Sequence, residues 1–463
     1  MTVLEQLGAH IVRNVSGSLS AAARRAARLH VADTVGAWVA ASGTQEGRAL
    51  TGFRGGAGER AQPAGGGDLL DRVARSCALA RLSEIDDIHL SSCTTPGALI
   101  VPSALTVGSS LGASGAAMGE AIAVGYEVMV RLGAALGGPS ILYRGIWPTY
   151  FAAPFGVAAA ASRLLGLTGR QAAHALGIAL ILASPAVGRQ SGAAMSRWLA
   201  IGNAARSGVF AAFSAQAGFT ADLGIFEGDF FSAAYDLSPD AAILVDALEE
   251  RSVLPEVSFK PWCAARQTMA ATQALKEIIE AGVAPSDMTQ LAVSVPPPYL
   301  RMIDHGVAPG DRSSHLTSVS YQMGLAAFAP GAPFDVKQAP ECVSGEIGAF
   351  MAKVTVKADD DLLRHYPKSW PARLGITTPR EKHEKLVVHV PGDPQRPFDE
   401  TQVAAKFRRV VVPLIGERSA DDLLRLSLAV LDSGEDAPRA LLAQIERAAA
   451  LASKNPIRLG FPL

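Results

Sequence analysis

Apolar residues recur at helical spacing through the first half of the chain. In SLSAAARRAARLHVADTVGAWVAASG, beginning at residue 18, Ala27, Val31, Val35 and Trp38 mark one stripe, and Gly43 supplies a stop. A further helix opens at Thr168, where TGRQ places Gln171 at the third helical position for a capping box, and apolar residues continue from Ala172 to Leu182. From about residue 18 to 250 the pattern predicts successive helices rich in Ala and Gly. Small residues let helix backbones approach closely, so a compact bundle is expected.

The period changes after about residue 265. Short β-branched runs appear at LAVSV (291 to 295), VTVK (354 to 357) and LVVHV (386 to 390), with helical stretches between them. The closing segments DDLLRLSLAVLD and PRALLAQIERAAALA return to helix. The expected fold is therefore mostly α with two domains: a large all-helical domain over 1–265 and 405–463, and a smaller α+β domain, 266–404, inserted before the C-terminal helices. A length of 463 residues suits two cores.

The most apolar run, Gly177 to Val187, is broken by Pro185 and falls short of the 18 or so residues that span a bilayer, so it reads as a buried helix. MTVLEQLGAHIVRNV lacks the basic start and unbroken apolar stretch of a secretory signal. Lys plus Arg (42) and Asp plus Glu (43) nearly cancel, leaving no global field to recruit nucleic acid or an anionic membrane. A small-molecule partner in the cytoplasm is expected. Cys77, Cys93, Cys263 and Cys342 lie far apart, with no CxxC, no HExxH and no GxxxxGK[ST], so neither a zinc site nor a nucleotide cradle is visible.

Five blocks carry a resemblance. EIDDIHLSSCTTPGALIVPSAL (84 to 105) sets an acidic pair and a histidine ahead of a Pro-Gly turn. RGIWPTYFAAPFGVAAAASRLLGL (144 to 167), MSRWLAIGNAARSGVFAAFSAQAGFTAD (195 to 222) with IFEG, KPWCAARQTM (260 to 269) and TSVSYQMGLAAF (317 to 328) follow in order. Together they resemble the MmgE/PrpD superfamily, which includes 2-methylcitrate dehydratase, cis-aconitate decarboxylase and iminodisuccinate epimerase. The resemblance implies a helical main domain, a smaller α+β domain, a homodimer, and cofactor-independent lyase or isomerase chemistry on carboxylic acids. Such reactions need an acid/base group and cations that hold carboxylates.

The departures define a diverged member. Thr95 stands for the histidine of the superfamily's HPG turn, Trp147 for that of its HPT segment, and Met269 for the histidine closing the KPxP block. None of these can move a proton as histidine does near neutral pH. Arg197 replaces a lysine, keeping the charge but losing any capacity as a base. Ile88 replaces a threonine, while Glu84 is the first acid of the signature. Apolar Ile88, Trp147 and Met269 suit a substrate with fewer carboxylates than a tricarboxylate.

The expected catalytic residues are Asp86, Asp87 and His89, and the expected substrate-binding residues are Thr95, Trp147, Tyr150, Arg197, Lys260, Arg266 and Met269. Each has a plainer reading. Either aspartate suits a cap of the local turn or a pair with Arg131 or Arg144; His89 is equally a structural hydrogen-bonding residue; Lys260 suits a domain anchor. Aromatic packing and a surface salt bridge would account for Tyr150 and Arg266. The functional alternative is a non-catalytic ligand-binding relative, or a specialised biosynthetic enzyme that has lost the ancestral dehydratase or decarboxylase activity.

Overall fold

The computed structural model describes residues 1–13, 19–52, 68–185, 194–248 and 252–454. Ser18 at the head of the expected first helix, and Ala186 and Val187 of the apolar run, lie outside these. The chain divides into two compact units: one within Met1–Arg189, Met195–Ser258 and Asp399–Leu463, the other built on Phe259–Phe398. The edges anticipated from the change of period were 265/266 and 404/405.

The first unit is helical. Helix Ala21–Ser42 is capped by Ser20, whose hydroxyl accepts from the Ala23 amide. Its stripe Ala27, Val31, Val35 and Trp38 is buried, but so are His30, Asp33 and Thr34, because neighbouring helices cover the second half on all sides. Gly43 ends this helix at φ −81°, without the left-handed turn a glycine permits. The expected capping box at Thr168 and Gln171 opens helix Gly169–Ile181.

Helix Pro148–Leu164 lies at the centre, against helices Gly97–Leu111, Gly115–Ala135, Gly169–Ile181 and Ser196–Gln216. Gly125 and Gly156 let two of these helices touch. A Cβ added at Gly156 would stand 2.8 Å from the Gly125 carbonyl oxygen and 2.5 Å from Met129 Cβ. The last segment returns here as helices Glu400–Ile415, Glu417–Ala429 and Asp436–Lys454, the first of which packs on Ala21–Ser42. An apolar groove of about 390 Å³, lined by Ile178, Leu182, Phe210, Phe213 and Phe219, runs along helices Gly169–Ile181 and Ser196–Gln216. Phe219 and Phe210 remain exposed there.

The second unit holds a four-stranded sheet in the order β2-β1-β3-β4, made of β1 Gln290–Val295, β2 Val354–Ala358, β3 Ala372–Thr377 and β4 Lys382–Val387. β1 and β2 are parallel, joined by a largely helical crossover, and the other pairs are antiparallel. Leu291, Val293, Leu374 and Ile376 are buried, and helix Arg266–Glu280 packs on β3 and β4. One strand expectation is corrected and one strand was missed. The last strand is not 386–390 but Lys382–Val387, an edge strand whose charged residues face solvent. β3 was not anticipated: Gly375 and the flanking Pro371 dilute its β-branched signal.

Candidate active site

Residues 83–96 connect helix Leu69–Leu82 to helix Gly97–Leu111, and most of the motif side chains hang from this connection. It turns sharply at Glu84, a non-glycine residue at φ 57°. That left-handed conformation costs a non-glycine residue about 1–2 kcal/mol and persists where surrounding contacts impose it.

The contacts here are ionic. Arg81 Nη1 lies 3.0 Å from Glu84 Oε2 and 3.2 Å from Asp86 Oδ1. Arg197, at the start of helix Ser196–Gln216, brings Nη2 to 3.1 Å from Glu84 Oε1. Glu84 thus joins two arginines, one from each of two helices. Burial works against the Arg81 charge, but Asp86 and Glu84 outweigh it and raise its pKa.

Three rings complete the cluster. The Arg197 guanidinium carbon lies 4.2 Å from the centroid of the Trp198 ring and 5.8 Å from that of Trp147. Trp147 is the residue before helix Pro148–Leu164 and meets Tyr150 edge-on, with ring centroids 5.7 Å apart. The Tyr150 hydroxyl donates to the Arg197 carbonyl at 3.0 Å. Burial raises the Tyr150 pKa against the opposing pull of Arg197 and Arg81, so the hydroxyl stays protonated and able to donate.

Asp87 points elsewhere. Its Oδ1 accepts the Gly97 amide at 2.8 Å, capping the next helix, and its Oδ2 accepts the Tyr126 hydroxyl at 2.8 Å. His30 Nδ1 stands 2.8 Å from the same Oδ2. A side chain at Gly97 would collide here, since a Cβ would sit 2.6 Å from Asp87 Oδ2. These contacts commit Asp87 to holding the connection in place. Arg131 and Arg144, considered as aspartate partners, pair instead with Glu127 and Asp236.

His89 is tied within its own turn. Its Nδ1 accepts the Ser92 amide at 3.2 Å and lies 2.9 Å from the Ser92 hydroxyl. An amide can only donate, so Nδ1 carries no proton and the neutral ring is protonated at Nε2. A ring in this tautomer offers a donor at Nε2, where a general base would need an acceptor. Thr95 is buried, and its amide donates to the Thr149 hydroxyl at 3.2 Å.

Lys260, Arg266 and Met269 belong to the second unit and are buried. Arg266 Nη2 pairs with Asp393 Oδ2 at 2.7 Å, a buried ion pair where a surface one had been the plainer expectation. Among the described residues no group of three or more His, Cys, Asp or Glu side chains gathers as a metal site.

Asp86, Trp147, Tyr150 and Arg197 are therefore brought together in the helical unit, and Arg81 and Glu84 join them. Arg81 was not anticipated. The helical periodicity gives no signal for it, because Glu84 lies beyond the end of helix Leu69–Leu82 and reaches Arg81 only through its left-handed turn.

A helical unit split by an inserted α+β unit, with its ionic cluster on the connection ahead of helix Gly97–Leu111, frames the comparison with known proteins. Residues 5–238 match the MmgE/PrpD N-terminal domain and residues 262–430 the MmgE/PrpD C-terminal domain. The chain belongs to the MmgE/PrpD family. A stretch of 160 residues, 33% of this chain, is 30% identical to the cis-aconitate decarboxylase of Aspergillus terreus. That match spans 32% of the fungal protein, about a third of its length. Among the described residues no helix is long and apolar enough to cross a membrane.

Proposed function

We propose that this protein is a cytoplasmic, homodimeric, cofactor-independent lyase or isomerase that abstracts a proton next to the carboxylate of a small carboxylic acid. The observation that carries this reading is the meeting of Glu84 with Arg197 at 3.1 Å beside Trp147 and Tyr150. Acid, cation and rings come from three separate blocks of the chain.

Glu84 is the acid/base group this geometry favours. It is the acid that meets Arg197, whereas Asp86 meets Arg81, Asp87 meets Gly97 and Tyr126, and His89 Nδ1 meets the Ser92 amide. In the proposed reaction Glu84 takes the proton from the carbon next to the carboxylate, and the electron pair moves onto the carboxylate oxygens facing Arg197. The pair then returns to expel a β-hydroxyl, which leaves as water carrying the proton that Glu84 removed, or recaptures a proton from solvent water on the opposite face while Glu84 gives its own to solvent. Tyr150 positions Arg197 through its carbonyl.

The test is incubation in D2O with short 3-hydroxy and 2,3-unsaturated carboxylic acids, followed by proton NMR. Protein-dependent deuterium entry beside the carboxylate, or interconversion of hydroxy and unsaturated acid, is expected and should vanish in Glu84→Gln. Binding without exchange or turnover would instead favour a non-catalytic ligand-binding relative, a reading motivated by Thr95, Trp147 and Met269 standing where histidines are expected.

A further inference from the structure

We infer that Tyr126 and His30, which belong to none of the matched sequence blocks, are positioning residues: acting through Asp87, they impose the left-handed turn that aims Glu84 at Arg197. Their effect on rate rests on the reading of Glu84 as the acid/base group. The turn is held from both ends. Helix Leu69–Leu82 ends just before it, where the Ser83 hydroxyl donates to the Ala80 carbonyl at 2.7 Å and accepts the Ile85 amide at 3.2 Å. On the far side Ile88 exchanges two backbone hydrogen bonds with Ser258, of 2.9 and 2.8 Å. Asp87, next to it, is gripped by three helices. Tyr126 of helix Gly115–Ala135 donates its hydroxyl to Oδ2, His30 of helix Ala21–Ser42 brings Nδ1 to the same oxygen, and Gly97 donates its amide to Oδ1. Residues 84–86 bridge these two fixed ends, and Glu84 supplies the bend at φ 57°. A conformation unfavourable to a glutamate persists where its surroundings over-determine it.

The grip on Asp87 has little slack. Asp87, His30 and Tyr126 are all buried. Burial, and then the charge of Asp87, raise the Tyr126 pKa well above that of a free phenol, so the hydroxyl stays protonated and donates. His30 Nε2 lies 3.2 Å from the Leu254 carbonyl oxygen, which ties down the other side of the ring. A Cβ added at Gly97 would stand 2.7 Å from the Tyr126 hydroxyl oxygen and 2.6 Å from Asp87 Oδ2, so helix Gly97–Leu111 packs flush against both. Removing the Tyr126 hydroxyl therefore loosens a carboxylate that touches no reacting atom in the proposed reaction. The change reaches Glu84 through the backbone of Ile85 and Asp86 as a change of aim. A misplacement of about 1 Å at a reacting group costs roughly a hundredfold in rate.

Two measurements on the full chain test this. Tyr126→Phe removes one hydroxyl at constant ring shape and should fold; His30→Gln is the second variant. Deuterium entry into 3-hydroxybutyrate and crotonate in D2O is followed by proton NMR over a range of concentrations. Both variants are expected to lose about ten- to hundredfold in kcat with KM within about twofold of the wild type. A merely structural role would lower the melting temperature and leave the rate per folded molecule unchanged. The second measurement needs no substrate: a thermal double-mutant cycle of Tyr126→Phe with Glu84→Gln, read by circular dichroism. Their losses in melting temperature should fall short of adding, because a turn already released leaves less for Glu84→Gln to remove, whereas independent sites add. Unchanged kcat in the folded variants, or additive losses in the cycle, overturns the inference and leaves the proton-abstraction reading standing. A wild type that moves deuterium into neither acid overturns that reading for short acids, and the cycle alone then decides whether Tyr126 sets the turn.

Discussion

Lys406 donates to the carbonyl oxygen of Ile85 at 2.8 Å, the residue between Glu84 and Asp86, while its ammonium pairs with Asp33 at 2.5 Å. Both side chains are buried, and burial pushes the Asp33 pKa up against the lowering pull of Lys406. Deleting one member leaves the other's charge without compensation. Lys406→Met is expected to cost about 3–5 kcal/mol of unfolding free energy. The double variant with Asp33→Asn should recover a substantial part of it. Urea unfolding of both measures this; a single variant within about 0.5 kcal/mol of wild type would show the pair to be stabilised by little beyond packing.

A pH dependence follows from Glu277. Burial alone would raise its pKa, but hydrogen bonds from Gln273, Lys385 and Arg396 reverse this and hold the carboxyl below its usual value. A lowered folded pKa means that the folded state favours the ionised form. The stability so gained is present above about pH 4.3, the unfolded glutamate pKa, and is lost as pH falls through the folded pKa. Glu277→Gln should be less stable than wild type at pH 7, with the gap closing on acidification. A gap that is constant with pH would contradict the assignment.

Turnover of 2-methylcitrate and cis-aconitate should be absent or very weak, since Thr95, Trp147 and Met269 cannot transfer protons near neutral pH as histidine does. Ultraviolet absorbance follows cis-aconitate directly. A rate in the ordinary enzymatic range, about 1 to 1,000 per second, would show that other groups perform the chemistry.

Arg197 should bind carboxylate without moving a proton. Arg197→Met leaves Glu84 its contact with Arg81, so the fold should survive, while affinity for hexanoate should fall about ten- to hundredfold. Arg197→Lys should restore part of that loss, a point charge replacing a planar fork. Unchanged affinity in Arg197→Met would remove this residue from the site.

The groove lined by Phe210, Phe213 and Phe219, with Phe210 and Phe219 exposed, is the apolar face we propose for a homodimer contact. Phe210→Glu with Phe219→Glu should convert a dimer to monomer in sedimentation velocity at micromolar concentration, without lowering helix content. A wild type that sediments as a monomer would exclude the contact.

How much of this was legible varied with the range of the interactions. Thr168 and Gln171 announce a helix because both halves of the box are three residues apart. Ala27, Val31, Val35 and Trp38 revealed one buried face of their helix, but not that His30 and Asp33 on another face would be covered by residues far along the chain. In the sheet, LVVHV drew the expectation toward its apolar letters, whereas pairing with β3 selects Lys382–Val387 and leaves charges on an open edge. Arg197 stands in a recognisable block, yet its pairing with Glu84 joins residues 113 positions apart across a left-handed turn that no local pattern displays. Asp87 and His89 carry the right chemistry for catalysis, and only their surroundings reveal that Gly97, Tyr126 and Ser92 already engage them.

The bond from Lys406 to Ile85 closes a loop of 321 residues, so its two ends leave the ribosome far apart in time. At about 5–20 residues per second the interval is roughly 16 to 64 seconds. During that interval the whole inserted unit, Phe259–Phe398, is synthesised, while the connection bearing Glu84 still lacks the lysine that fixes its backbone. The connection bearing Glu84 therefore lacks this bond until helix Glu400–Ile415 has been made, so this anchor of the turn is added only after the inserted unit.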